Sequence, residues 1–504
     1  MREMNFKDNQ SFIGLIYSSA FSNITGKALF FLYNVLLARM LGIEFFGYYA
    51  AIFVAVRFID IFSRSGLVTE SLRLLSVEDE NNWRRLSCKI VSIPACIGTI
   101  LAGFGIIVVK IFYPGEAIDE AWFAFLIAPV SAAFYVSISI IQAAGGIACA
   151  LRLREIYLQG ALVAGLLALF FFDSVSLSCV IAMEGVIYSF LFAYAIRSIF
   201  SRTISVDKAE YSEICDRESS QRTKYIAPSA MAIWFGALPL MINALSQFSV
   251  NWLDIIFLSY YRSSEEVGAY RAVVQISLSL SLILVTVNGI YAPSASRLRL
   301  SIDPSRASEM LGKSIRYIFY PLVFASTLIV LYADTVILIF FGEAYLVGAD
   351  ALRLQVVCQA LLCLGGGAGY TIALAGKQSV LVKIAVSAVV FMCVLCLLLI
   401  PVFGMSGAAL SATVAALFMI SCRLLYLQLV LDVLIWRGGT FLPVLTWLCA
   451  VTAYCILGSF PPSSYDLLLQ VSFISISAIS FFWCLNKNRS DMDLVSKLSL
   501  RGRK

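Results

Sequence analysis

The chain has 504 residues, of which 60% are hydrophobic and only 13% charged, and its mean hydropathy is +0.88. A soluble domain averages about half apolar and about a quarter charged residues, so a water-facing globule is excluded and the membrane class remains. The apolar runs are helix-length, about 20 residues, rather than the ~10-residue alternating strands of a barrel, and the net charge of +6 reads as loop anchoring rather than a nucleic-acid surface.

Taken in chain order, apolar spans are expected at 12–38, 45–70, 90–113, 121–147, 156–172, 175–200, 227–258, 267–292, 315–341, 351–376, 379–401, 405–430, 440–460 and 466–485. This is an all-α polytopic protein of about fourteen transmembrane helices. The first ten residues are polar and the stretch after them is too long for a signal-peptide core, so no cleaved leader is expected. Histidine is absent, which removes histidine-based catalysis, His-ligated metals and His pH sensing. No cofactor or metal is expected.

The basic residues set the sidedness. With the N-terminus in the cytoplasm, the outside loops hold only Arg39, Lys110, Arg262 and Arg353, and three more (Lys27, Arg57 and Arg271) fall within spans. The other 30 of the 37 fall on the inside, Arg64 and Arg423 among them, so both termini are expected in the cytoplasm. All 13 cysteines lie in spans or on the inside, where no disulfide is expected. The Cys393/Cys396 pair has CxxC spacing but sits in an apolar helix without further ligands and reads as packing.

The longest hydrophilic stretch, Ser201 to Tyr225, mixes both charge signs and reads as a solvated cytoplasmic linker. The two sides of it echo each other: LARMLGIEFFGYYAAIF after span one, FLSYYRSSEEVGAYRAVV after span seven. Setting Gly47 against Gly268 aligns Glu44 with Glu265, Tyr49 with Tyr270 and Ala51 with Ala272. Two related six-helix bundles are a common transporter plan. The expected division is an N-lobe of spans one to six (1–200), the linker (201–226), a C-lobe of spans seven to twelve (227–430), and spans thirteen and fourteen with a basic tail (431–504).

ARMLGIEFFGYYA with SRSGLVTESLR, then DIIFLSYYRSSEEVGAYRA, then FGEAYLVGADALRLQ followed by a glycine-rich span and ALAGKQ, resemble the polysaccharide transport family. These are flippases of O-antigen, capsule and exopolysaccharide repeat units in the multidrug/oligosaccharidyl-lipid/polysaccharide (MOP) superfamily. The resemblance covers the whole chain. It implies a V-shaped pair of pseudo-symmetric six-helix lobes with two extra C-terminal helices. It also implies a cavity open alternately to each side, a polyprenyl-pyrophosphate-linked glycan as cargo, and the bacterial inner membrane as location. A polymerase and glycosyltransferases of the same pathway would be partners, and nucleic acid would not.

Moving such a lipid requires a polar lumen with countercharges, because isolated charges in hydrocarbon are very costly. Lys27 lies mid-span one, Arg57 in span two with Asp60 one turn on, and Arg271 near the outer start of span eight. The resemblance implies cavity-facing cations on helices one, two and eight, carried over by helix and depth rather than by motif. The bland readings are that Arg57 and Asp60 neutralise each other and that Arg271 snorkels outward. Span seven carries Asn243, Gln247, Asn251 and Asp254 along one face of a helix that also contains Pro228 and Pro239. That stripe is either a lumen wall or interhelical bonding. Asp254 and Glu184 of span six are candidates for a coupling proton or Na⁺. Gly365–Gly366–Gly367 in span ten allows close helix approach or a hinge. In the family, a pair like spans thirteen and fourteen forms a groove for the lipid tail; plain packing is the alternative.

Three other functions compete: a multidrug cation antiporter or a lipid II flippase of the same superfamily, and a membrane polymerase or ligase. An antiporter favours acidic cavity residues, whereas three of the intramembrane charges are basic. A polymerase needs a sizeable outside loop, and none here exceeds about ten residues. The chain is read as a transporter, not an enzyme.

Overall fold

The computed structural model describes residues 6–75, 80–112, 122–200, 230–297, 304–431, 445–447, 449–451 and 472–480, and all regular structure among them is helical. The linker with Pro228, most of spans thirteen and fourteen, Arg437 and the basic tail lie outside the described residues.

Helix α1 (Phe6–Arg64) runs for 59 residues. A straight helix of that length would be about 90 Å long, three times the hydrocarbon thickness. It is broken at Gly42, whose φ of 78° and ψ of 170° lie where only glycine is comfortable. The break reverses the chain: Tyr33 and Tyr49, on opposite arms, both donate to the same Glu184 oxygen, at 2.6 and 2.5 Å. On a straight helix those two tyrosines would stand about 24 Å apart, beyond their joint reach.

Unit 1 continues through α2 (Leu67–Leu75), α3 (Glu80–Phe112), a 3₁₀ turn (Trp122–Leu126) leading into α4 (Ile127–Ala143), and α5 (Ile147–Leu151). A π turn (Arg152–Tyr157) joins α5 to α6 (Leu158–Phe171), followed by α7 (Leu177–Phe200) and α8 (Ala230–Tyr261). Unit 2 holds α9 (Ser264–Leu278), α10 (Ser281–Arg297), α11 (Pro304–Leu331), α12 (Ala333–Phe340), a 3₁₀ turn (Glu343–Gly348), α13 (Ala349–Leu374) and α14 (Gln378–Val430). The chain divides into Met1–Ile256 and Phe257–Lys504, so α8 begins in one unit and ends in the other.

Helix α14 repeats the device of α1. It breaks at Gly404 (φ 55°, ψ −130°), and Phe391 and Phe418 on its two arms pack with ring centroids 5.1 Å apart. From the turn before α9, Arg262 donates to the Pro401 carbonyl at 2.8 Å, beside this break. Ten helices among the described residues are long and apolar enough to cross a membrane. Two of them, α1 and α14, each supply two arms, which accounts for the first twelve expected spans.

The internal repeat is visible in the turns. Gly42 aligns, in the register that pairs Gly47 with Gly268, with Ser263, the residue in extended conformation that caps α9. Later in each unit, Gly145 (φ 91°) and Gly376 (φ 75°) end α4 and α13 in one hydrogen-bond pattern. Gly146 N–H donates to the Ile141 carbonyl as Lys377 N–H does to Ile372, and Gly145 to Gln142 as Gly376 to Ala373. This is the Schellman closure, in which a left-handed residue lets two N–H groups reach back to orphan carbonyls. Asp173 (φ 52°), ending α6, and Gly404 stand at the same offset as Gly145 and Gly376.

The glycine triplet of span ten serves close packing. A Cβ on Gly365 would lie 2.6 Å from Ile420, one on Gly366 would overlap Leu284, and one on Gly367 would lie 2.9 Å from Leu311, three side chains of three different helical segments. Helix α13 is continuous through them. Gly366→Val is therefore expected to overpack unit 2 by about 1–3 kcal/mol. The measurement is the melting temperature of the purified protein; an unchanged value would favour the hinge reading.

Candidate functional site

The second arm of α1 places Arg57, Asp60 and Arg64 at spacings of three and four, on one face of the helix. Asp60 is wholly buried; its Oδ2 takes a hydrogen bond from Arg57 at 3.4 Å and another from Arg64, whose side chains are 17% and 20% exposed. Asp60 Oδ1 is buried with no hydrogen-bond partner among the described residues. Two cations on one carboxylate leave this trio, taken alone, with a net positive charge inside membrane-spanning helices. Aromatic faces soften that cost. The Arg57 guanidinium carbon lies 5.2 Å from the Phe53 ring centre, 5.3 Å from Tyr188 and 5.7 Å from Tyr135, and that of Arg64 lies 4.3 Å from Tyr135.

Helix α7 supplies the other half of the network. Glu184 and Tyr188 are one turn apart, so both point toward α1. Tyr188 accepts from Arg57, while Glu184 accepts from Tyr33 and Tyr49, both of them buried. Arg57, Glu184, Tyr49, Tyr188 and Ser131 of α4 border a cavity of about 20 Å³. That is room for one water molecule or a bare ion and far too little for a sugar.

The sequence candidates therefore separate. Arg57, Asp60 and Glu184 come together in this network. Lys27 sits on the first arm of α1 and is partly exposed. Its neighbour Gly26 packs so tightly on the π turn that a Cβ would lie 2.6 Å from Glu155 Cβ; Glu155 pairs with Arg154 at 2.7 Å. Arg271, on α9, is fully buried and does not snorkel outward. On α8, Gln247 is exposed and Asn251, which donates to the Gln247 carbonyl at 2.8 Å, is partly exposed. Asp254 is fully buried, with Oδ1 accepting from the Ile255 N–H. The Asn243 side chain lies outside what is described. The shared face that spacing assigns to these residues thus ends in the packed interior, because neighbouring helices, not helix phase, decide exposure.

Sequence spacing misses Tyr33, Tyr49, Tyr135 and Tyr188, since an apolar helix with tyrosines reads as core. Arg64 was expected at the inside end of span two; it is instead a second partner of Asp60. The local signal for that was its i, i+4 spacing from Asp60.

The profile of the family described as "Polysaccharide biosynthesis protein" matches residues 15–298, more than half of the chain. The chain belongs to this family. No curated protein matches the sequence significantly. Among solved structures, this member of the polysaccharide biosynthesis family is similar to the lipid II flippase MurJ in an inward closed conformation, with a TM-score of 0.62 and 14% identity over 95% of this chain and 99% of that one. It is also similar to the MATE multidrug transporter DinF-BH, with a TM-score of 0.58 and 15% identity over 83% and 96%. An inward-facing multidrug resistance MATE transporter of the MOP superfamily gives 0.58 and 15% over 82% and 98%. At these identities the likeness establishes the fold alone, the one these three transporters share.

Proposed function

We propose that this protein is a flippase that carries polyprenyl-pyrophosphate-linked oligosaccharide repeat units from the cytoplasmic to the periplasmic leaflet. The product would be a surface polysaccharide such as O-antigen, capsule or exopolysaccharide. The observation that carries the reading is an ionisable network, Arg57–Asp60–Arg64 beside Glu184, held inside membrane-spanning helices of a polysaccharide biosynthesis family member. Ionisable groups within membrane-spanning segments are costly and rare, which makes each of them a functional-site candidate by default. In this reading Lys27, Arg57 and Arg271 supply countercharge for the pyrophosphate, and Asn243, Gln247 and Asn251 offer hydrogen bonds to the sugars. Asp60 holds Arg57 in place. Glu184 between its two tyrosines is the coupling centre, its small cavity admitting one proton carrier or bare cation; Asp254 is the second candidate. The two related helix bundles would alternate access, with both termini in the cytoplasm of a bacterial inner membrane, and the chain would carry no catalytic step of its own.

Deleting the gene is expected to strand lipid-linked repeat units on the cytoplasmic leaflet and to abolish one surface polymer. An intact polymer, with the lipid-linked unit still reaching the periplasm and no second flippase present, would sink the proposal. Cation-driven dye efflux without a glycan defect would favour the multidrug antiporter reading instead.

A further inference from the structure

Arg423 stands apart from the unit 1 network and has no assigned role. Sequence sidedness assigns it to an inside segment, yet it lies within the second arm of α14, two turns before the helix ends, and is only 8% exposed. Its Nε is sealed from solvent without an acceptor, and no hydrogen bond or ion pair reaches the residue among the described residues. The last-turn carbonyls of α14 are too far along the helix for it to act as a C-terminal cap.

The residue facing it is Gly369 of α13, where a Cβ would stand 3.5 Å from Nη1 and 3.7 Å from Cζ. Glycine thus leaves one side of the guanidinium clear of side chain. Two exposed lysines follow Gly369 in sequence: Lys377 in the turn that closes α13, and Lys383 in the first arm of α14. A nine-tenths-buried cation with no countercharge among the described residues is strongly unfavourable. An arginine in such a place calls for an anion, and its planar fork pairs bidentately with phosphate oxygens, which phospholipid headgroups supply.

We propose that Arg423, beside the side-chain-free Gly369, binds a phosphate group through its outer guanidinium N–H groups at the cytoplasmic end of unit 2. Two sources carry that chemistry: the headgroup of an anionic phospholipid and a free or lipid-borne diphosphate. The proposal does not depend on the flippase reading, since it concerns other residues and a different readout.

The test uses the full-length protein, purified and delipidated in a neutral detergent. Melting temperature is followed while phosphatidylglycerol, chain-matched phosphatidylcholine or inorganic pyrophosphate is titrated, and native mass spectrometry counts retained lipids. Phosphatidylglycerol is expected to raise the melting temperature by several degrees where phosphatidylcholine does not, and Arg423→Gln to lose that increment. Stabilisation by phosphatidylglycerol alone assigns the site to a lipid headgroup; stabilisation by pyrophosphate as well assigns it to the phosphate group itself. Wild-type protein indifferent to both, or an Arg423→Gln variant that keeps the full increment, overturns the proposal. Should the glutamine variant not fold, Arg423→Lys serves: it keeps the charge but loses the fork, and a roughly tenfold weaker response is expected from one lost charge-assisted hydrogen bond. An unweakened response in that variant overturns the proposal equally.

Discussion

Asp60→Ala is expected to leave little folded protein in the membrane. Asp60 is fully buried and is the shared anion of Arg57 and Arg64, which sit on the same face of the second arm of α1. Removing it strands two cations of like sign among aromatic rings. Breaking a buried ion pair by deleting one partner costs about 3–5 kcal/mol, and the lower end applies here because both guanidinium groups keep some exposure. Against a total stability of about 5–15 kcal/mol, that is a large fraction. Membrane abundance and monodispersity in detergent are the measurements. A second variant separates structure from transport. Replacing all three residues by apolar ones of similar volume removes the unpaired charge along with the pair, and such exchanges are often neutral or stabilising. The triple variant should therefore recover abundance while export of the glycan stays lost. Normal accumulation and melting of Asp60→Ala would show that the shared carboxylate does not hold this face together.

Glu184→Gln is expected to do the opposite: normal abundance with transport reduced at least tenfold. The glutamine carbonyl still accepts from the Tyr33 and Tyr49 hydroxyls, so both arms of α1 remain tied to α7, but the position no longer binds a proton or a cation. Glu184→Leu should lose folding as well, because each stranded buried hydroxyl costs about 1–3 kcal/mol. The contrast between the two variants matters more than either alone. A purely structural Glu184 predicts that glutamine is benign for transport. Wild-type rates of lipid-linked glycan translocation in Glu184→Gln proteoliposomes, across a range of imposed pH and Na⁺ gradients, would remove Glu184 as the coupling centre.

Much of the architecture follows from the linear chain because hydrocarbon imposes a one-dimensional rule. Backbone polar groups must be satisfied within each apolar segment, so every long apolar run becomes a helix. The breaks between runs are local too. Gly42, Gly145, Gly376 and Gly404 occupy positive-φ conformations that glycine alone adopts freely, and the turns at Gly145 and Gly376 close their helices with one hydrogen-bond pattern. The Arg57–Asp60 pair was likewise legible, since both partners lie within one helical turn.

What joins distant segments was not legible. Glu184 meets Tyr33 and Tyr49 across 151 and 135 residues, and Tyr188 meets Arg57 across 131. No periodicity on either helix encodes such a meeting. The glycine triplet of α13 allows two readings in the sequence, and Ile420, Leu284 and Leu311 packed against it decide for close packing. Arg64 and Arg423 counted as cytoplasmic anchors by charge sidedness, yet one shares a buried carboxylate and the other is enclosed in unit 2. Sidedness records which end of a helix a cation lies toward. Whether its head reaches water, a carboxylate or the backbone of a glycine is decided by the helices packed around it, and only the tertiary structure contains those.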